Sequence, residues 1–162
     1  MHGDKGNQNC EIFRNIATMK QDAAKPRVWD PLRKKYVALT PEERVRQWFI
    51  TVLRDRMGVP VHQMNSEVAM TLGAVPFRAD ILVFARGGAP WMVVECKRED
   101  LPLSPEVLEQ ALRYNLALDV PYIAITNGRQ SLFFRRSGAL FDRIDTPPCW
   151  SDGIPPIQPV QA

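Results

Sequence analysis

Histidine and cysteine are scarce in this chain of 162 residues, which contains two histidines and three cysteines. Cys10, Cys96 and Cys149 are far apart, and no two of them have CxxC spacing. Zinc cages and disulfide frameworks need clustered or paired side chains of these types, so we expect neither. Any reactive site is then expected to be built from carboxylate, amide and basic side chains.

Long apolar runs are also missing. No segment approaches the length of a bilayer-spanning helix, and the first residues are polar, unlike a signal peptide. We therefore expect a cytoplasmic protein without a membrane partner. The hydrophobic fraction of 45% and charged fraction of 24% are typical of one globular domain, and the net charge of +3 permits an acidic partner without requiring one.

Three regions differ in composition. Residues 1–26 are polar, and residues 146–162 contain five prolines. A proline-rich tail cannot continue a helix or a central strand. We predict a single domain over residues 27–145, with a polar segment before it and a proline-rich tail after it.

The first predicted element is a helix that begins after residue 40. Thr40, Pro41 and Glu43 have the pattern of a capping box, in which Glu43 reaches back to the Thr40 backbone. Apolar residues then recur at helical spacing until Gly58 and Pro60 end the run.

The remaining pattern predicts strands and one more helix. In chain order we expect a short hairpin at 28–39, strands at 67–72, 77–85 and 91–97, a helix that begins at Ser104 and ends before Pro121, and strands at 122–126 and 132–135. Apart from the hairpin, the order is α-β-β-β-α-β-β. This order predicts an α/β sandwich with a mixed central sheet flanked by helices.

Charged residues interrupt two of the apolar strands at one end. Side chains alternate along a strand, so Glu95 and Lys97 share one face and Cys96 lies on the other. Folding the hairpin about Gly88 places Asp80 opposite Cys96, within one residue of register. Two carboxylates and one ammonium group are therefore predicted to converge.

Phosphodiester hydrolysis requires such a set of groups. Asp80 and Glu95 are hard oxygen ligands suited to Mg²⁺ or Mn²⁺, and the main-chain carbonyl of Cys96 is a further candidate ligand. Lys97 could orient a water molecule or offset charge on the phosphate. The alternative is an ion pair between Glu95 and Lys97 at a strand end, because an E-x-K sequence often occurs by chance.

The spacing of these residues resembles a known nuclease motif. Asp80 is followed, after 14 intervening residues, by Glu95-Cys96-Lys97, which resembles the PD-(D/E)xK motif. Residues 36–47 (YVALTPEERVRQ) and 78–83 (RADILV) resemble the N-terminal nuclease domain of type I restriction enzyme R subunits. The resemblance implies a restriction-endonuclease-like fold and a metal-dependent DNA endonuclease, with Asp80 and Glu95 as metal ligands and Lys97 as the catalytic lysine.

The resemblance extends to three more positions and departs at one. Glu43 corresponds to an acidic residue that joins the metal site directly or through water, although it is also the capping-box acid. Gln110 and Tyr114 match the QxxxY pattern on the following helix and would assist catalysis; alternatively, they are ordinary polar residues on a half-exposed helix. Ala79 stands where the motif's name has proline, which leaves the chemistry unaffected.

Basic residues near the motif are candidate DNA contacts. Arg78, Arg98 and Arg113 could bind phosphates, although scattered surface arginines are also normal. The chain lacks G-x-x-x-x-G-K-[ST], so we expect a stand-alone domain without an ATP-driven motor. DNA is the expected partner, and a second copy of the chain or subunits of a restriction complex are further candidates.

Two other functions compete with the nuclease hypothesis. One is a non-catalytic DNA-binding or scaffolding module of a restriction or repair complex. The other is an accessory protein that does not bind DNA.

Overall fold

The computed structural model describes residues 26–72, 74–116 and 118–150, and these form a mixed sheet between two helices. The elements are β1 (Arg27–Asp30), β2 (Lys35–Ala38), α1 (Pro41–Asp55), a 3-10 turn (Val61–Gln63), β3 (Met64–Leu72), β4 (Val75–Phe84), β5 (Pro90–Cys96), α2 (Pro105–Asn115), β6 (Tyr122–Thr126), β7 (Ser131–Ser137) and β8 (Leu140–Ile144). The predicted α/β sandwich, restriction-endonuclease-like with a mixed central sheet, is confirmed.

The main sheet contains β3 to β8 in the order of the sequence. Strands β5 and β6 are parallel, and the other neighbouring pairs are antiparallel. A parallel pair needs a long crossover, and α2 provides it between β5 and β6. These two strands are central, and every residue of β6 is buried.

The helices cover opposite faces of the sheet. Met92 and Val94 of β5 pack in the core beneath α1, with Val45 and Phe49 of the helix. Val93 packs in the second core, beneath α2. The alternation predicted for this strand therefore holds, and the residues at its end are directed by the same periodicity.

The start of α1 follows half of the predicted capping box. Thr40 Oγ1 accepts a hydrogen bond from the Glu43 N–H at 3.1 Å, an interaction that contributes about 1 kcal/mol. The predicted return bond, from the Thr40 N–H to the Glu43 carboxylate, does not form, and that part of the prediction is wrong. The Thr40 N–H donates instead to the Ala38 carbonyl at 3.0 Å, and the Glu43 carboxylate bonds to arginines.

Several predicted boundaries change. The hairpin at 28–39 is present as β1 and β2, and β3 begins at Met64 rather than at residue 67. Strand β8 was not predicted, because its adjacent polar residues Asp142 and Arg143 break the alternation that would have indicated it. It follows a turn at Gly138, whose φ is +60°.

Part of the predicted tail lies against the sheet. The indole N–H of Trp150 donates to the Phe84 carbonyl at 3.0 Å, and the ring packs against the core beneath α1. Residues 1–25 and 151–162 lie outside the described part, so the boundaries predicted at 26 and 146 stay predictions. Neither of the helices described is both long and apolar enough to cross a bilayer.

Candidate active site

Asp80 and Glu95 are neighbours across β4 and β5. The paired register ends at Ile81 opposite Val94, so its next pair is Asp80 and Glu95. Sequence reasoning placed Asp80 opposite Cys96 within one residue. The difference arises because Phe84 pairs with Pro90, so the hairpin is centred on Gly87 rather than on Gly88, and the register shift between Val83 and Phe84 recovers only part of that offset.

Two donors hold the Asp80 carboxylate. Its Oδ2 accepts the Cys96 N–H at 2.7 Å, and its Oδ1 accepts Arg46 Nη2 at 2.8 Å. One donor belongs to the neighbouring strand and the other to α1. The side chain of Asp80 is therefore fixed between β5 and α1.

Glu95 lies in a different electrostatic environment. Burial raises the pKa of its carboxyl above the usual value, and the negative charge of Asp80 raises it further. Lys97 acts in the opposite direction, with Nζ donating to Glu95 Oε1 at 3.0 Å. The two carboxylates thus repel each other, and one lysine only partly compensates for that repulsion.

An open cleft of about 360 Å³ joins these groups to α2. Its walls are formed by Arg78, Asp80, Glu95, Lys97, Val107, Gln110 and Ala111. Val107, Gln110 and Ala111 line it together because residues three and four apart share a helix face. The structure therefore brings together five residues singled out in the sequence: Arg78, Asp80, Glu95, Lys97 and Gln110.

Other predicted site residues lie elsewhere or are not described. Arg98 forms an ion pair with Asp100 at 2.9 Å, and Arg113 forms one with Glu109; neither arginine is among the described residues that line the cleft. Tyr114 belongs to α2, but its side chain lies outside what the structure describes.

Two further candidate ligands contact the core. Glu43 is buried, and its carboxylate bonds to Arg33, Arg46 and Gln47, so its connection to Asp80 runs through Arg46. The thiol of Cys96 is buried beneath α1, and burial raises its pKa well above the usual value. The main-chain carbonyl of Cys96 is therefore its remaining candidate ligand atom, and its role at a metal stays a prediction.

A network of buried and half-buried ion pairs was missed by sequence reasoning. We call it the α1 network; it contains Asp30, Arg33, Glu43, Arg46 and Glu67. Arg33 bonds to Asp30 and lies 2.6 Å from Glu43, and Glu67 lies 3.1 Å from Arg46. It reaches the cleft twice, through Arg46 to Asp80 and through Glu67 to Arg78 at 2.6 Å.

One signal of this network was available in the sequence. Glu43, Arg46 and Gln47 follow the i, i+3, i+4 pattern, which places them on the same helix face. All three are buried, together with Ile50 one turn later. Buried charges are costly unless paired, so this polar stripe on a core-facing helix indicated partners elsewhere in the chain.

The donor set suits some metals and not others. Among the described residues, no group of three or more histidine, cysteine or acidic side chains is arranged to hold a metal ion. Asp80 and Glu95 provide two carboxylates at one cleft. Mg²⁺ commonly binds one or two carboxylates and completes its shell with water and phosphate, so this set fits Mg²⁺ or Mn²⁺ and does not fit a structural zinc site.

Comparison with known proteins gives one match. The family model described as type I restriction enzyme R protein N terminus matches residues 41–147, more than half of the chain. The match runs from α1 through β8 and includes every residue that lines the cleft. Neither the curated proteins nor the solved structures gave a match.

Proposed function

The chain belongs to the family of type I restriction enzyme R protein N termini, and on this premise we propose that it is a metal-dependent endonuclease that hydrolyses DNA phosphodiester bonds. The observation that carries the proposal is the shared cleft lined by Asp80, Glu95 and Lys97. The proposal includes membership of the PD-(D/E)xK nuclease superfamily, whose motif these three residues match.

Asp80 and Glu95 would hold Mg²⁺ or Mn²⁺, with the Cys96 carbonyl as a further ligand. When bound, such an ion polarises a phosphoryl oxygen and makes a coordinated water more acidic. The chain contributes two carboxylates whose mutual repulsion a cation offsets. Glu43 contributes to the site indirectly, because Arg46 contacts both Glu43 and Asp80.

Lys97 and Gln110 would act on the phosphate and the attacking water. The Lys97 ammonium lies 3.0 Å from Glu95 at the cleft wall, where its remaining protons can bond a phosphate oxygen and stabilise developing charge. Gln110 lies on the opposite wall, formed by α2, and its amide can orient a phosphate oxygen or a water. The role predicted for Tyr114 beside it stays a prediction.

Arginines would hold the DNA backbone. Arg78 lines the cleft and its side chain is 65% exposed, so it can contact a phosphate next to the scissile one. Arg98 and Arg113 are exposed outside the cleft and would contact phosphates farther along. A second copy of the chain, other restriction-complex subunits and a cytoplasmic location stay predictions.

A cleavage assay with matched variants tests the proposal. Duplex DNA is incubated with the protein in Mg²⁺, in Mn²⁺ and in EDTA. Asp80→Asn and Glu95→Gln should each lower the metal-dependent rate at least about 100-fold. Asp100→Asn and Glu99→Gln are the controls, because both acids are exposed and outside the cleft. Cleavage that persists in EDTA, or in both cleft variants, would contradict the proposal.

The second candidate function is a non-catalytic DNA-binding or scaffolding module. The observation in its favour is the contact between Arg46 and Asp80, which compensates the Asp80 charge without a metal. This function predicts DNA binding that is unchanged by Mg²⁺ and by Glu95→Gln, with no cleavage under any condition. The same assay, with a binding measurement added, separates the two functions.

A further inference from the structure

Arg46 connects the α1 network to the cleft. Its Nη1 contacts Glu43 and lies 3.1 Å from Glu67, while its Nη2 lies 2.8 Å from Asp80. The side chain is only 6% exposed. One guanidinium therefore holds three carboxylates from three different elements.

The planarity of the guanidinium makes this arrangement directional. The two terminal nitrogens of arginine are fixed in one plane, so contacts at Nη1 set where Nη2 points. Glu43 and Glu67 hold Nη1, and Nη2 then meets Asp80 Oδ1. The Cys96 N–H holds the other oxygen of the same carboxylate at 2.7 Å.

Both Asp80 oxygens are therefore fixed before any ligand arrives. A carboxylate oxygen has two lone pairs, so one remains on each oxygen after these bonds form. A prealigned carboxylate does not have to be ordered when a cation binds, and preorganisation of this kind raises affinity.

We propose that Arg46 is the positioning residue that aligns Asp80 for cation binding. This inference rests on the proposed function for the metal itself, but the alignment of Asp80 is a property of the metal-free protein. Arg46 contacts neither DNA nor metal in this role; it acts through Asp80.

Arg33 provides a matched comparison for Arg46. It also bridges acids of the α1 network, with ion pairs to Asp30, Glu43 and Glu67, and its side chain is 17% exposed. Its ion pairs do not include Asp80. A lysine at either position keeps the positive charge but is a point charge that cannot reproduce the fork. The two lysine variants thus cause similar damage to the network, and only Arg46→Lys also removes the donor to Asp80.

The experiment measures two properties of the full chain for wild type, Arg46→Lys and Arg33→Lys. The first is hydrogen exchange of the Cys96 amide in metal-free protein, which reports on its bond to Asp80. The second is Mn²⁺ affinity by calorimetry in the absence of DNA. We expect Arg46→Lys to exchange the Cys96 amide at least about tenfold faster and to bind Mn²⁺ about tenfold or more weakly, as for loss of a residue that orients a ligand. Arg33→Lys should stay within about twofold of wild type in both exchange rate and Mn²⁺ affinity, because the contacts of Asp80 with Arg46 and with the Cys96 N–H are unchanged in this variant.

The outcomes separate this inference from the proposed function. The positioning role would be overturned by an unchanged Cys96 amide in Arg46→Lys, by equal changes in both variants, or by Mn²⁺ binding that is as tight in Arg46→Lys as in wild type. A Cys96 amide that exchanges faster in Arg46→Lys but not in Arg33→Lys supports the alignment of Asp80 by Arg46, even if wild type does not bind Mn²⁺. Failure of wild type to bind Mn²⁺ would contradict the proposed function. If Arg46→Lys does not fold, the double variant Glu43→Gln, Arg46→Gln removes one charge of each sign and is compared with the double variant Glu43→Gln, Arg33→Gln.

Discussion

The α1 network and the cleft are adjacent groups of charged side chains, and they differ in how their charges are compensated. In the network, the carboxylates of Asp30 and Glu43 are each bonded by an arginine. In the cleft, Glu95 has one lysine and also lies beside the negative charge of Asp80. The first group is arranged like a structural ion-pair cluster, whereas in the second the charge of Glu95 is only partly compensated.

The pKa shifts of two acids express this difference. Burial acts to raise the pKa of both Asp30 and Glu95. At Asp30, hydrogen bonds from Arg33 and from backbone N–H groups outweigh burial, and its pKa falls. At Glu95, burial and Asp80 outweigh Lys97, and its pKa rises. We infer that the network stabilises the folded chain, and that the under-compensated charge of Glu95 gives the cleft a place for a cation.

The largest effect on stability is expected from the network. Glu43→Gln removes the buried carboxylate that Arg33 and Arg46 share, which should cost about 3 kcal/mol. The melting temperature should fall by roughly 6–12 °C. Urea denaturation at pH 7 in EDTA measures the loss. Glu42→Gln, at the exposed neighbouring position, is the control and should change the free energy of unfolding by less than about 0.5 kcal/mol. Equal losses of unfolding free energy in the two variants would show that the α1 network stabilises the fold no more than an exposed acid does.

A smaller effect should appear as a pH dependence at Asp30. Its pKa is lowered in the folded protein, so its contribution to stability is present above the unfolded value of about 3.8 and is lost as pH falls through the folded value. Wild type should therefore exceed Asp30→Asn in the free energy of unfolding at pH 7, and the difference should shrink at pH 3. Denaturation of both proteins across this range measures it, and a pH-independent difference would show that the Arg33 ion pair is not its source.

The cleft should respond in the opposite direction. The raised pKa of Glu95 means that its contribution to stability declines as pH rises from about 4.5 through the folded value, so ionised Glu95 opposes folding at pH 7. Glu95→Gln should leave the metal-free free energy of unfolding unchanged or higher, measured in EDTA. Glu99→Gln is again the exposed control. A large loss of stability would identify Glu95 and Lys97 as a structural ion pair and would break the comparison.

Local patterns allowed the fold and the centre of the site to be predicted. Both helices begin at threonine or serine caps followed by proline, and these signals lie within four residues. The convergence of Asp80 and Glu95 was predictable because both lie on one hairpin, whose register is limited by its loop.

The α1 network could not be predicted in the same way. Arg46 reaches Asp80 across 34 positions of the sequence, and Arg33 reaches Glu43 across ten. Pairs at such distances have no fixed spacing, because their proximity depends on how α1 packs on the sheet. The missing return bond of the capping box has the same cause, since Arg33 and Arg46 take the carboxylate that a local rule assigned to the Thr40 backbone.

The smallest expected effect concerns DNA binding, and it compares arginines inside and outside the cleft. Duplex binding is measured across a salt series in Ca²⁺, which can fill an oxygen site while supporting cleavage poorly. The slope of the logarithm of the binding constant against the logarithm of the salt concentration should be modest, at roughly two to five ions released, because the net charge is only +3.

Arg78→Ala should flatten this slope by about one unit, since Arg78 lines the cleft. Arg98→Ala and Arg113→Ala should flatten the slope by no more than about one unit each, because neither arginine is among the described residues that line the cleft. Lys97→Ala should retain most of the slope and lose turnover. If binding shows no salt dependence while the carboxylates hold Ca²⁺, the cleft would be a cation site without a DNA substrate, and the accessory-protein hypothesis would replace the nuclease.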